Sequence, residues 1–160
     1  MQEKLKKEIN PTEALLKMQS WCAYQERCQQ EVRNKLYEWN LKSIEIENII
    51  AELISQNFIN EERFAIAYAG GKFRIKKWGK NKIIAGLKLR KISEYCIKKA
   101  MSELNSVDYM ETLRKIIATK ERLLNEKNLV KKKHKLLQYA YSRGFEQDLI
   151  LDVLKEKELC

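Results

Sequence analysis

The residues best suited to chemistry in this chain are cations. Between positions 72 and 99 lie eleven basic residues, Lys72, Arg74, Lys76, Lys77, Lys80, Lys82, Lys88, Arg90, Lys91, Lys98 and Lys99, against Glu94 alone. That segment carries by itself a net charge equal to the +10 of the whole 160-residue chain. Residues 114–135 add a further excess of +7, whereas residues 1–62 come to −3. A cationic stretch of this kind attracts nucleic acid, acidic protein or an anionic membrane surface. The near absence of interleaved acids argues against lysines that merely solvate an outer helix face, where both signs are usually mixed. Trp78 lies among Lys76, Lys77 and Lys80 and directly precedes Gly79. It is either an anchor for a partner or a plug between two helices. The candidate interface is therefore Lys72, Arg74, Lys76, Lys77, Trp78, Lys80, Lys82 and Arg90. The run Lys131–Lys135, with His134 inside it, is weaker, because five consecutive residues wrap more than a full helical turn and cannot all face one partner.

Other chemistries find no residues. There is no Gly-rich phosphate loop and no nucleophile elbow, and the single histidine, His134, has no acid or cysteine at ligand spacing. Cys22, Cys28, Cys96 and Cys160 form no C-x-x-C pair and read as reduced thiols. Glu61 and Glu62 point about 100° apart on a helix and so do not face each other across a cleft. Gly70-Gly71 reads as a kink or a close helix crossing. Trp21, Trp39, Tyr68 and Tyr139 fall on apolar stripes and read as core. Catalysis, a metal and a cofactor are all unexpected. With no apolar run near the roughly 18 residues of a membrane span and a polar start, the expected location is the cytoplasm.

The cations must be positioned by helices. Five Gly and one Pro in 160 residues leave little material for the turns of a sheet protein, and Leu, Glu, Lys and Ala favour helix. Asn10-Pro11-Thr12-Glu13 reads as a helix start, Asn60 caps another ahead of Glu61 and Glu62, and Ser43 is the expected cap of a third. Leu36–Leu53 superimposes without gaps on Leu87–Leu104 at an offset of 51, and a third copy pairs Ile92 with Phe145 and Ile97 with Ile150. The expected fold is all-α, with three tandem three-helix, helix-turn-helix-like repeats in an elongated arrangement. Its boundaries are a polar tail at 1–11 and repeats at 12–58, 59–106 and 107–160. The repeat turns read Trp39-Asn40-Leu41, Arg90-Lys91-Ile92 and Arg143-Gly144-Phe145. Asn and Gly tolerate the left-handed residue that ends such a helix, and Lys91 in the same column should carry some strain.

Asn60-Glu61-Glu62-Arg63-Phe64-Ala65, with Tyr68 after it, resembles the Asn-Asp-x-Arg-Phe-Ala signature of the RecX family of recombinase regulators. Gly79, Ile83, Leu87 and the turn ending in Ile92 resemble the Gly, Ile, Leu and Gly-Ile series that follows it in that family. The resemblance covers about Ala14 to Leu154. It implies a non-enzymatic regulator that binds the RecA recombinase filament on DNA and inhibits strand exchange and ATP hydrolysis. Direct binding of single- or double-stranded DNA is an additional property of some members, no membrane is involved, and a monomer is expected. Asn60, Arg63, Phe64, Ala65 and Gly79 are then motif positions with a structural role. Four residues depart from the pattern, and Glu61 for the usual Asp is of little consequence. Lys91 stands where Gly is usual, Gly86 sits at a helical position expected to cost about 1 kcal/mol relative to Ala, and Cys28 replaces a capping hydroxyl.

Two other readings belong to different classes. A sequence-specific helix-turn-helix protein needs base-reading side chains at the start of its recognition helices, yet those starts are Ser43-Ile44-Glu45, Ser93-Glu94-Tyr95 and Glu146-Gln147-Asp148. A helical scaffold for other proteins would need no nucleated filament for binding.

Overall fold

The computed structural model describes residues 8–157, so most of the polar tail, Cys160 and the last two residues before it lie outside the described residues. Among the described residues there are nine helices and no strand. They run α1 Pro11–Tyr24, α2 Gln29–Glu38, α3 Ser43–Ser55, α4 Glu61–Lys76, α5 Lys80–Leu89, α6 Glu94–Ser102, α7 Ser106–Leu123, α8 Leu129–Ser142 and α9 Gln147–Glu156. None is long and apolar enough to cross a membrane. The chain divides into two compact units, one of residues 1–64 with 90–92 and one of residues 65–89 with 93–160.

Helix starts follow local chemistry. Asn10, Asn60, Ser93, Asn105 and Asn128 each accept a hydrogen bond on the side chain from the backbone N–H three residues on, at 2.8–3.3 Å. Each such cap satisfies one of the amides that a helix leaves unpaired at its N-terminus. Ser43 is the first residue of α3 and not its cap. Lys42 occupies the cap position, and the Glu45 carboxylate reaches back to the Lys42 N–H at 3.4 Å. The repeat register explains the shift, because Lys42 and not Ser43 lies 51 residues before the capping Ser93.

In the first unit, α3 packs on both α1 and α2. Ile46, Ile49, Ile50 and Leu53 of α3 face Ala14, Met18 and Cys22 of α1 and Val32 and Leu36 of α2 in one buried cluster. The spacing is that of one helix stripe, so the core is written into α3 at positions three and four apart. Trp21 and Trp39 pack against this cluster but stay half-buried, with Arg27 3.9 Å above the Trp21 ring and Lys17 5.7 Å from that of Trp39. In the second unit α7, α8 and α9 pack on one another and α5 on α6. Its buried side chains include Ile83, Leu87, Ile97, Leu113, Ile117, Leu136, Phe145, Ile150 and Leu154.

All three repeat turns hold a left-handed residue, with φ of 59° at Asn40, 57° at Lys91 and 98° at Gly144. The apolar residue after each, Leu41, Ile92 and Phe145, is buried. Leu41 N–H donates to the Leu36 carbonyl at 3.4 Å and Phe145 N–H to the Ala140 carbonyl at 3.2 Å, the bond that closes a helix end of this type. Two glycine readings change. Helix α4 runs unbroken through Gly70-Gly71, where a Cβ on Gly71 would meet open space and one on Gly70 would meet the Arg74 guanidinium of its own helix at 2.7 Å. Gly70 therefore gives Arg74 room to fold back along its own helix, and the pair makes no kink. A Cβ on Gly86 would lie 2.1 Å from the Tyr68 hydroxyl, so Ala is not the free gain that helix propensity suggests.

Substituting these turns tests them. Gly144→Val should lower stability by at least about 2 kcal/mol, since it combines a left-handed backbone with a Cβ placed 2.4 Å from that of Lys82. Lys91→Gly should be neutral or raise stability by up to about 1 kcal/mol. Urea unfolding of the two variants checks both signs.

Candidate basic interface

The cationic segment is built on a joint between two stretches of backbone in the second unit. Helix α4 ends at Lys76, and Lys77 turns the chain with φ of 58°. Gly79 N–H then donates to the Arg143 carbonyl at 2.8 Å, and Asn81 N–H to the Gly144 carbonyl at 2.9 Å. The α4–α5 link is thereby sewn to the α8–α9 turn. A Cβ on Gly79 would lie 2.3 Å from the Gly144 carbonyl carbon, so only glycine allows the approach. From the other side the Arg143 guanidinium donates to the Lys76 carbonyl, placing a cation on the exposed negative end of α4.

Tyr109 of α7 closes the joint from beneath. Its hydroxyl accepts from the Lys80 N–H at 2.9 Å and donates to the Glu146 carboxylate. Its ring sits 5.7 Å from that of Phe73 and 5.2 Å from that of Phe145. Burial, with the Glu146 hydrogen bond added, holds the phenol well above its usual titration range, so it stays a donor at every physiological pH. The sequence reading missed this residue. The signal was present, because Tyr109, Leu113 and Ile117 recur at four-residue spacing on α7 and are all buried.

Around this joint the side chains gather as follows. Trp78 is half-buried, with the Lys72 Nζ 4.9 Å and the Lys82 Nζ 4.7 Å from its ring centre. Lys72 also lies 5.5 Å from the Tyr68 ring, and Lys80 5.0 Å from that of Tyr109. Lys76 and Lys77 are exposed, and the Arg74 guanidinium lies back along α4 over Gly70. Among the described residues, no carboxylate pairs with Lys72, Lys76, Lys77, Lys80 or Lys82. Arg90 stands apart, in the first unit, where its Nε lies 3.3 Å from Glu31. The 131–135 run is half neutralised: of its four lysines, Lys132 pairs with Glu121 at 3.2 Å and Lys135 with Glu126 at 2.8 Å.

The motif positions hold the first unit together and the start of α4 in place. The Arg63 guanidinium pairs with Glu26 and donates to the carbonyls of Asn57 and Phe58 at 3.0 and 3.4 Å, tying α4 to the end of α3. Phe64 and Ala65 are buried, each within its own unit. Cys28 offers α2 no side-chain bond. The Glu61 carboxyl lies half-buried near that start: burial raises its pKa, and the N–H of Gln29, the first residue of α2, draws it back down, helped by Arg33. Cys22 and Cys28 are buried thiols pushed up to about 11, chiefly by burial, which suits inert packing residues and no redox pair. Among the described residues no group of three or more His, Cys, Asp or Glu could hold a metal.

Two family models match the chain. RecX, second three-helix domain, matches residues 60–101, and RecX, third three-helix domain, matches residues 107–154. The Regulatory protein RecX of Clostridium acetobutylicum is 33% identical over 134 residues, covering 81% of this chain and 62% of the relative. That of Bacillus mycoides is 24% identical over 143 residues, covering 89% and 53%, and that of Haemophilus influenzae is 27% identical over 129, covering 80% and 84%. The chain thus spans little more than half the length of the Clostridium and Bacillus relatives. The crystal structure of RecX from Lactobacillus salivarius superimposes with a TM-score of 0.82 at 21% identity, covering 94% of this chain and 97% of the other, and so shares the fold.

Two substitutions test the joint. Tyr109→Phe should cost roughly 1–3 kcal/mol, because it strands the Lys80 N–H and the Glu146 carboxylate; thermal unfolding measures it. For Glu61 the raised pKa means that ionisation opposes folding above it, and that this penalty fades as pH falls through the raised value toward the ordinary carboxylate range. Glu61→Gln should therefore be more stable than the parent at neutral pH, with the difference shrinking as the pH falls toward the ordinary carboxylate range. Urea midpoints across that range read the sign. With the motif Asn60–Ala65, the left-handed repeat turns and the glycine joint all accounted for, the two domain matches and the Clostridium relative place the assignment beyond the fold alone: the chain belongs to the RecX family.

Proposed function

We propose that this chain is a non-enzymatic regulator that binds the RecA recombinase filament on DNA and inhibits strand exchange and DNA-dependent ATP hydrolysis. Family membership supports the regulatory role. The observation that carries the mode of binding is the set of lysines without carboxylate partners around Trp78. An ion pair already made inside the protein has little to give a partner, whereas Lys72, Lys76, Lys80 and Lys82 keep their charge available for one. The glycine joint beneath them fixes their spacing, so binding needs little ordering of the backbone. The surface meets the acidic protein or the phosphates that a nucleoprotein filament presents. Lys77, Arg74 and Trp78 extend it, and Arg90 serves instead to hold Glu31. The protein acts in the cytoplasm, where its target is, and as a monomer.

The test is a salt titration on bare single-stranded DNA and on preformed filament, with the parent and the variant Lys72→Glu/Lys76→Glu/Lys82→Glu. Reversal should weaken inhibition of the filament ATPase by roughly tenfold or more at low salt, since each change turns attraction into repulsion. If phosphates are contacted, the slope of log affinity against log salt should fall by about 0.7–0.9 per lost contact. A folded variant that inhibits like the parent at low salt would sink the proposal.

A further inference from the structure

A second recognition surface lies in the same unit, beyond the lysines around Trp78. Helix α7 presents Thr112, Lys115, Ile116 and Thr119, residues three and four apart that form one stripe of the helix. Tyr139 of α8 and Lys77 at the end of α4 close the two sides, leaving an open groove of about 270 Å³. Its lining is apolar at the half-buried Ile116 and Tyr139 and polar at the two threonines. Its rim is cationic. Lys77 and Lys115 line it, and the Lys120 Nζ sits 4.7 Å from the Tyr139 ring centre. Among the described residues the one carboxylate paired with these lysines is Glu111, 3.2 Å from a Lys115 that is 75% exposed, a pairing of the weak and readily exchanged kind.

We infer that this groove is a docking site for an acidic peptide segment that carries an apolar side chain between carboxylates. The apolar Ile116 side chain takes the anchor, and Lys115 and Lys120 of α7 and Lys77 of the α4–α5 link take the flanking carboxylates. Charge complementarity selects this occupant. A nucleic acid would want an open aromatic face for a base, and the Lys120 ammonium already lies against Tyr139. A basic or neutral peptide would place like charge or nothing against the rim. The apolar anchor supplies the affinity and the carboxylates the orientation, the usual division of labour between a filled pocket and a charged rim.

The probe is a fluorescein-labelled peptide, Glu-Asp-Glu-Leu-Phe-Glu-Asp-Glu, measured by anisotropy with the full chain. Its partner probe replaces Leu and Phe by Ser. The acidic amphipathic peptide should bind with roughly tenfold or greater advantage over the serine version, because the anchor carries the affinity. Ile116→Glu should abolish that advantage, and Lys115→Glu/Lys120→Glu should weaken binding by roughly tenfold. Lys72→Glu/Lys82→Glu should leave it unchanged, which separates this site from the surface around Trp78. Backbone amide shifts on peptide addition should centre on Thr112, Ile116 and Thr119. Equal binding of the two peptides, shifts centred on Trp78, displacement of the peptide by oligo-dT from the α7 stripe, or no binding at millimolar peptide would each overturn the assignment. Circular dichroism of the Ile116 variant confirms folding, and the double lysine variant, altered only at the rim, keeps the test open if the Ile116 variant is unfolded.

Discussion

Two glycines meet where no side chain fits between them, and the geometry of the second unit depends on that contact. Gly79 brings the α4–α5 link within hydrogen-bond reach of the α8–α9 turn, and Gly144 supplies both the left-handed corner and the open space. Segments 65 residues apart in sequence thereby become neighbours whose backbones bond directly. Everything basic around Trp78 hangs from this seam. Arg143 seals the end of α4 and Tyr109 fills the space below, so the polar groups of the link are satisfied from three directions. The surface can then be densely cationic without being unstable, because its lysines are asked to hold nothing together.

The first unit follows the opposite rule. Its charged residues are spent internally: Arg33 on Glu47, Arg63 on Glu26, Arg90 on Glu31. Glu26 and Glu31 each keep one buried carboxylate oxygen without a hydrogen-bond partner, and the arginine paired with the other oxygen offsets that cost. Acid and base are matched where they bind one helix to another in the first unit, and the lysines around Trp78 in the second are left without carboxylate partners.

Local chemistry was readable from the sequence, and long-range pairing was not. Asn60 as a cap, the three left-handed turns and the buried residue after each follow from side chains within a few positions of one another. The helix stripes of α3 and α7 follow from spacing alone. The pairing of Arg90 with Glu31 cannot be read, because the partner lies 59 residues upstream and no periodicity announces such a pair. Ser43 was misplaced by one residue because Ser at a helix start is ordinarily the cap, whereas here Glu45 reaches back to serve Lys42. Gly86 looked like a defect because propensity is blind to the Tyr68 hydroxyl that occupies the space of a methyl group. Trp78 could be assigned to neither anchor nor plug from its neighbours. Its flanking by Lys72 and Lys82 depends on how α4 and α5 meet at the link.

The seam also sets how this surface moves. Amides of Gly79 and Asn81 donate to carbonyls on another turn and not to the first turn of their own helix, so α5 cannot fray from its start without also parting from the α8–α9 corner. Slow hydrogen exchange belongs at these two amides, at a point where helix beginnings normally exchange fast. The ammonium groups of Lys72, Lys80 and Lys82 rest against the Trp78 and Tyr109 rings, so the tips as well as the roots are held near one arrangement. A charged surface ordered in advance in this way has little entropy left to lose when its pattern is matched.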